Sequence, residues 1–200
     1  MVSKLVLLCA LLSACTPQPK MPEFKLTPEH VTGSVYKVTA DLAGMPQWTG
    51  TAWKYDEGRF LSAGHVCDTN GADLRFTLID SKDNVYPAQV VRFDAKVDLC
   101  IMSAVGVPGL SLKFGVEPGY GADVWYTGAP NGVWGAGIIP FARGYTIGGH
   151  AMMIAGYGGA SGSPVYDHNG VFGVLVSGWR GTHLINYVEV ARIKAFLRGE

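Results

Sequence analysis

The chain has 200 residues, enough for one domain or two small ones. Its 16 Lys and Arg balance 16 Asp and Glu, so no basic field points to nucleic acid or to an anionic membrane surface. Hydrophobic residues make up 48%, which supplies a sizeable core, and 27 Gly among short β-branched and aromatic runs favour an all-β chain with many tight turns. No Cys/His cluster has zinc-ligand spacing and no HExxH, EF-hand or Walker A pattern occurs, so neither metal nor cofactor is expected.

The chain opens with a targeting segment. Met1 to Lys4 carries one positive charge and Leu5 to Leu12 is almost wholly apolar, the pattern of a secretory signal too short to span a membrane. It ends in Leu12-Ser13-Ala14-Cys15, which resembles a bacterial lipobox, where the Cys is lipidated and becomes the new N-terminus. An ordinary signal peptide that carries a Cys is the alternative. Pro17, Pro19, Pro22 and Pro28 keep the next stretch extended, as a tether. The expected division is a signal peptide over 1–14, lipidated Cys15 with its tether over 15–28, and a folded domain over 29–200. Such a protein is exported and held in the cell envelope by a lipid anchor. Thr16 replaces the Asp that often marks inner-membrane retention, which hints at the outer membrane.

Within the domain, Ser34–Ala40 alternates as a strand does, Gly50–Trp53 begins another, and Arg59–Ser62 follows a turn at Asp56-Glu57-Gly58. Ala63-Gly64-His65-Val66-Cys67 sets a His among small and apolar residues, a pattern that alone is commoner for a core or surface histidine than for a base. Leu74–Leu78 and Tyr86–Arg92 read as strands. Asp98 stands at the edge of an apolar run, where a carboxylate is costly unless paired, and a His ring N–H would satisfy it; Asp94 reads as a turn cap. Asp123–Thr127 and Ile138–Ile147 read as further strands. Gly158-Gly159-Ala160-Ser161-Gly162-Ser163-Pro164 places a Ser among residues with little side chain. Such stretches are commonly plain loops, but they also form the sharp turns that expose backbone N–H groups beside a nucleophile. Asp167-His168-Asn169-Gly170 is a hairpin turn leading into the buried strand Val171–Ser177. Over Tyr187–Leu197, Val190, Ile193 and Phe196/Leu197 fall at helical spacing.

Taken in order, Gly50-Thr51-Ala52-Trp53, Phe60-Leu61-Ser62-Ala63-Gly64-His65-Val66, Asp94 with Asp98-Leu99, and Gly159-Ala160-Ser161-Gly162-Ser163-Pro164 resemble the trypsin-like serine peptidases. The branch is similar to the bacterial glutamyl-endopeptidase and HtrA type, and Gly128-Ala129-Pro130-Asn131-Gly132 resembles a glycine-proline turn of that branch. The resemblance implies two packed six-stranded antiparallel β-barrels, the first over about 32–108 and the second over about 112–186, with a C-terminal helix over about 187–198 packed on the second. A PDZ domain of the HtrA type is not expected after that helix.

By resemblance, Ser161 is the nucleophile, His65 the base and Asp98 its orienting carboxylate, with the oxyanion hole made by the N–H groups of Gly159 and Ser161. The implied substrate is a polypeptide. In relatives the residue six before the nucleophile lies at the base of the P1 pocket; here it is Ala155, not the Asp of a trypsin-type pocket. Val176 stands where glutamyl-specific relatives carry a His, so an apolar or small P1 side chain is expected. Ser177-Gly178-Trp179 resembles the segment that pairs with substrate backbone. Ala160 replaces the Asp that in trypsin pairs with a freed N-terminus, so that zymogen switch is not expected. Cys67 and Cys100 each lie two residues beyond a triad member, and both a disulfide and two buried free thiols fit. An α/β-hydrolase is disfavoured by order, since that fold runs Ser, acid, His. The remaining alternative is a catalytically silent protease-fold lipoprotein that serves as a binding or envelope-exclusion module.

Overall fold

The computed structural model describes residues 26–133, 141–178 and 182–199; the signal segment, Cys15 and Trp179 lie outside them. The described strands close into two six-stranded antiparallel barrels. The first holds β1 (Val35–Leu42), β2 (Met45–Asp56), β3 (Arg59–Ala63), β4 (Arg75–Ile79), β5 (Val85–Asp94) and β6 (Leu99–Ser103). The second holds β7 (Asp123–Thr127), β8 (Phe141–Gly148), β9 (Ala151–Met153), β10 (Pro164–Asp167), β11 (Gly170–Gly178) and β12 (Leu184–Glu189). Neighbours run β1-β2-β3-β6-β5-β4 in one and β7-β8-β9-β12-β11-β10 in the other, so both barrels have the same topology. Closure leaves no free sheet edge in either. The helical pieces are α1 (Pro28–Thr32), α2 (Gly64–Cys67), a 3₁₀ turn (Pro130–Gly132) and α3 (Val190–Arg198).

Three cores hold this together, and strand periodicity assigns residues to them. Tyr36, Ala52, Phe60, Cys100 and Met102 fill the first barrel. Val165, Phe172, Leu175, Ile185 and Tyr187 fill the second. Their sequence neighbours point the other way: Val35, Trp53, Leu61, Leu99 and Ile101 meet Tyr166, Val171, Val174 and Val188 in a third core between the barrels. A strand buried on both faces reads as a continuous apolar run, which is why Leu99–Met102 and Val171–Leu175 do not alternate.

The C-terminal helix departs from expectation in two ways. It begins at Val190, because Tyr187 and Val188 are taken by β12, paired with Leu175 and Val174. It also packs on the inter-barrel core, through Ile193 and Phe196, rather than on the second barrel alone. Arg92 of β5 lies 4.6 Å from the Phe196 ring centroid and donates to the Phe196 carbonyl at 2.6 Å, so the helix clasps both barrels. It stops at Gly199, whose φ of +89° suits glycine and whose N–H returns to Ala195 and Phe196.

Candidate active site

The histidine and aspartate meet where β3 and β6 run side by side, Ala63 opposite Leu99. β3 ends in the single turn α2, which carries His65, and Asp98 precedes the first residue of β6. His65 Nδ1 lies 3.0 Å from both Asp98 carboxylate oxygens, and the His65 backbone N–H donates to Asp98 Oδ1 at 2.8 Å. An ionised carboxylate only accepts, so Nδ1 carries a proton that it donates to Asp98, and it is Nε2 that has a lone pair in the neutral ring. Burial pushes the Asp98 pKa up, but hydrogen bonds from the His65 ring and from the His65 and Gly64 amides outweigh it and hold the carboxyl below its ordinary range. Asp98 adopts φ +55°, which a short polar side chain tolerates. Gly64 is required beside it, since a Cβ there would sit 2.9 Å from the Asp98 carbonyl carbon. Cys67 and Cys100 are joined in a disulfide with Cα atoms 6.4 Å apart, stapling α2 to β6. Asp94 caps the preceding turn, accepting from the Lys96 N–H at 2.8 Å.

Ser161 sits in the loop before β10, half-buried. This loop of the second barrel is sewn to the first. Thr51 of β2 donates its N–H to the Ser161 carbonyl at 2.8 Å. A Cβ on Gly162 would run into the Thr51 carbonyl and stand 3.0 Å from the Ala63 nitrogen, so the serine loop lies against the strand end two residues before His65. Gly162 takes φ +89° there.

Two peptide planes of this loop are held by their carbonyls. The Gly158 carbonyl accepts from Asn131 N–H at 2.5 Å, and the Ala160 carbonyl accepts from Ser163 N–H at 3.0 Å. In a trans peptide the N–H points opposite to the C=O, so the Gly159 and Ser161 N–H groups face away from those partners. Neither donates to another described residue. Gly159 has φ +87°, and a Cβ on it would strike the Ala129 carbonyl, so the turn Gly128–Gly132 buttresses the loop from behind.

A cavity of about 210 Å³ opens beside Ser161. Gly156, Tyr157 and Gly158 line one side, Leu175, Ser177 and Gly178 another, and Ile185 lies between the two. Ile185 Cγ2 would be 2.5 Å from a Cβ at Gly156 and 2.9 Å from one at Gly178. Ser177 and Gly178 line the cavity, whereas Ala155, expected at the base of the P1 pocket, is not among its lining residues; its carbonyl accepts from Tyr126 OH at 2.7 Å. Burial pushes the Tyr126 phenol up to about 12, so it stays a donor. His183 lies outside the lining and its carbonyl accepts from Ile154 N–H. Sequence reasoning missed Ile185 and Tyr157, and it quoted Thr51 without giving it a role. Among the described residues no cluster of three His, Cys, Asp or Glu is placed to hold a metal ion.

The two docked barrels and the short C-terminal helix define a chymotrypsin-like fold. Solved structures that share it are serine proteases. The Rv3671c protease of M. tuberculosis in its active form is 22% identical, with a TM-score of 0.73 over 94% of this chain and 93% of that one. The serine endoprotease from Yersinia pestis is 16% identical, with a TM-score of 0.70 over 86% of this chain and 64% of that one. No protein-family model and no curated protein matches the sequence.

Proposed function

We propose that the chain is a serine endopeptidase that hydrolyses polypeptides through an acyl-enzyme on Ser161. The observation that supports this reading is the His65–Asp98 pair, with Nδ1 3.0 Å from both carboxylate oxygens, following a strand end on which the Ser161 loop packs through Gly162, while the Gly159 and Ser161 N–H groups face away from the partners of their own peptide carbonyls. Ser161 Oγ attacks the scissile carbonyl while His65 Nε2 takes its proton. The carbonyl oxygen gains charge and is met by the Gly159 and Ser161 N–H groups, each worth about 3–4 kcal/mol in the transition state. His65 then passes the proton to the leaving amine as the C–N bond breaks; water next attacks the ester carbon while His65 Nε2 takes its proton, and His65 returns that proton to Ser161 Oγ as the ester C–O bond breaks, freeing the acid. Asp98 holds the ring in one tautomer and stabilises the imidazolium.

The cavity beside Ser161 presents Ile185 and Leu175 and no charged side chain among its described lining, which supports an apolar or small P1 residue. The N-terminal segment supports a lipid anchor on Cys15, holding the enzyme in the cell envelope.

A fluorophosphonate probe tests the activity. Stoichiometric labelling of the full chain, lost in Ser161→Ala and in His65→Ala, is the expected result. A folded wild type that is not labelled would favour the binding or exclusion module over the enzyme. A peptide-library profile dominated by Lys, Arg or Glu at P1 would sink the specificity reading.

A further inference from the structure

Thr51 is fully buried at the seam between the barrels, and each of its polar atoms is used. Its N–H donates to the Ser161 carbonyl at 2.8 Å, and its own carbonyl accepts from Ser62 Oγ at 2.6 Å. Its hydroxyl donates to the Gly159 carbonyl at 2.9 Å and accepts from the Ala129 N–H at 3.0 Å. The hydroxyl therefore grips both the serine loop and the turn that buttresses it, from a strand of the other barrel.

The consequence concerns Gly159. Its N–H belongs to the peptide whose carbonyl is held by Asn131, and its own carbonyl belongs to the next peptide, held by Thr51 Oγ1. Two planes meeting at one Cα are thus both pinned. Glycine has little intrinsic resistance to rotation about φ and ψ, so a glycine that must present a donor in one direction needs such external restraint. The second plane is also held through its N–H, Ala160 to the Tyr157 carbonyl at 3.1 Å, so Thr51 Oγ1 is the restraint on its carbonyl end; without that hydroxyl the Gly159 carbonyl loses its partner and the plane keeps one anchor instead of two, which loosens the Gly159 N–H.

We propose that Thr51 is a positioning residue: its hydroxyl keeps the Gly159 N–H aimed at the developing oxyanion, so that docking of the first barrel completes the oxyanion hole of the second. This rests on the peptidase reading above. The role predicts a rate effect with little effect on binding, because the amide matters only once charge develops on oxygen.

The test is fluorophosphonate labelling of the full chain, with the rate resolved into a saturation constant and a limiting rate, for wild type, Thr51→Val and Thr51→Ser. Thr51→Val keeps the shape and removes the hydroxyl; its limiting rate is expected to fall about 10- to 100-fold, with the saturation constant within about twofold. Thr51→Ser restores the hydroxyl and is expected to recover to within about threefold of wild type. A folded Thr51→Val that labels at the wild-type rate overturns the proposal, as does Thr51→Ser as slow as Thr51→Val. If Thr51→Val does not fold, Thr51→Ala replaces it, and failure of both to fold assigns the hydroxyl to the scaffold and likewise overturns the proposal. An inert but folded wild type refutes the peptidase reading itself, and is told apart because the defect then precedes any substitution.

Discussion

Removing the Cys67–Cys100 disulfide by Cys67→Ala/Cys100→Ala should lower stability by about 3.7 kcal/mol. That figure is the loop-closure entropy which a cross-link removes from the unfolded chain when it spans 33 residues, taken at 25 °C. For a chain of this size it corresponds to a fall in Tm of about 7–15 °C. The loop enclosed by the bridge carries β4 and β5, and both ends sit two residues beyond members of the His–Asp pair. Both cysteines are buried, so alanine is the proper replacement; serine would leave a buried hydroxyl in need of a partner. The assay is urea unfolding of the full chain followed by tryptophan fluorescence, comparing the oxidised wild type with the double variant. An unfolding free energy within about 1 kcal/mol of wild type, at an unchanged slope, would refute the reasoning: the loop would then already be constrained in the unfolded chain.

Four further outcomes are expected. Gly159→Ala forces a Cβ into left-handed backbone against the Ala129 carbonyl, so it should lose about 1–2 kcal/mol of stability and about 100- to 1,000-fold in labelling rate; unimpaired labelling would remove Gly159 from the oxyanion hole. Because the Asp98 pKa is lowered in the folded state, its contribution is fully present above the unfolded value of about 3.9 and is lost as pH falls through the folded value. The gap in unfolding free energy between wild type and Asp98→Asn should therefore shrink from pH 6 to pH 3, and a gap independent of pH contradicts the hydrogen-bonding account. Ile185→Val should cost about 0.5–1.5 kcal/mol and shift a peptide-library profile about tenfold toward a P1 side chain one methylene larger; an unmoved profile places the pocket elsewhere. Ser163 Oγ is buried with no partner among the described residues, so Ser163→Ala should be neutral or raise stability by up to about 1–3 kcal/mol, and a loss beyond 1 kcal/mol in urea would show that the hydroxyl is satisfied after all.

Local pattern alone made much of this chain legible. Each strand named in advance is present within a few residues among the described residues, the start of the Ile138–Ile147 stretch lying outside them, because alternation and apolar runs report directly on faces that become buried, and the Asp167–Gly170 turn marks the β10–β11 hairpin. His65, Asp98 and Ser161 are reached through the resemblance of their flanking stretches to a family and not through local pattern; the structure gives the glycines of those stretches a physical role, since Gly64 must lack a side chain to let Asp98 approach and Gly159 and Gly162 take positive φ. What only the tertiary structure decided is what each face touches. Leu99 and Cys100 are equally apolar neighbours, yet one seals the barrel interface and the other bonds to Cys67 inside the barrel. Tyr187 and Val188 fit a helical spacing as well as a strand, and pairing with β11 settled the matter. Ile185 became part of the pocket, and Ala155 did not, through the packing of β12 across the Gly156 and Gly178 backbones. Thr51 lies 110 residues from Ser161 in the chain and bonds to its carbonyl. Periodicity carries information over a turn or a pleat, while the partner of a face or a hydroxyl is chosen by whichever distant segment docking brings beside it.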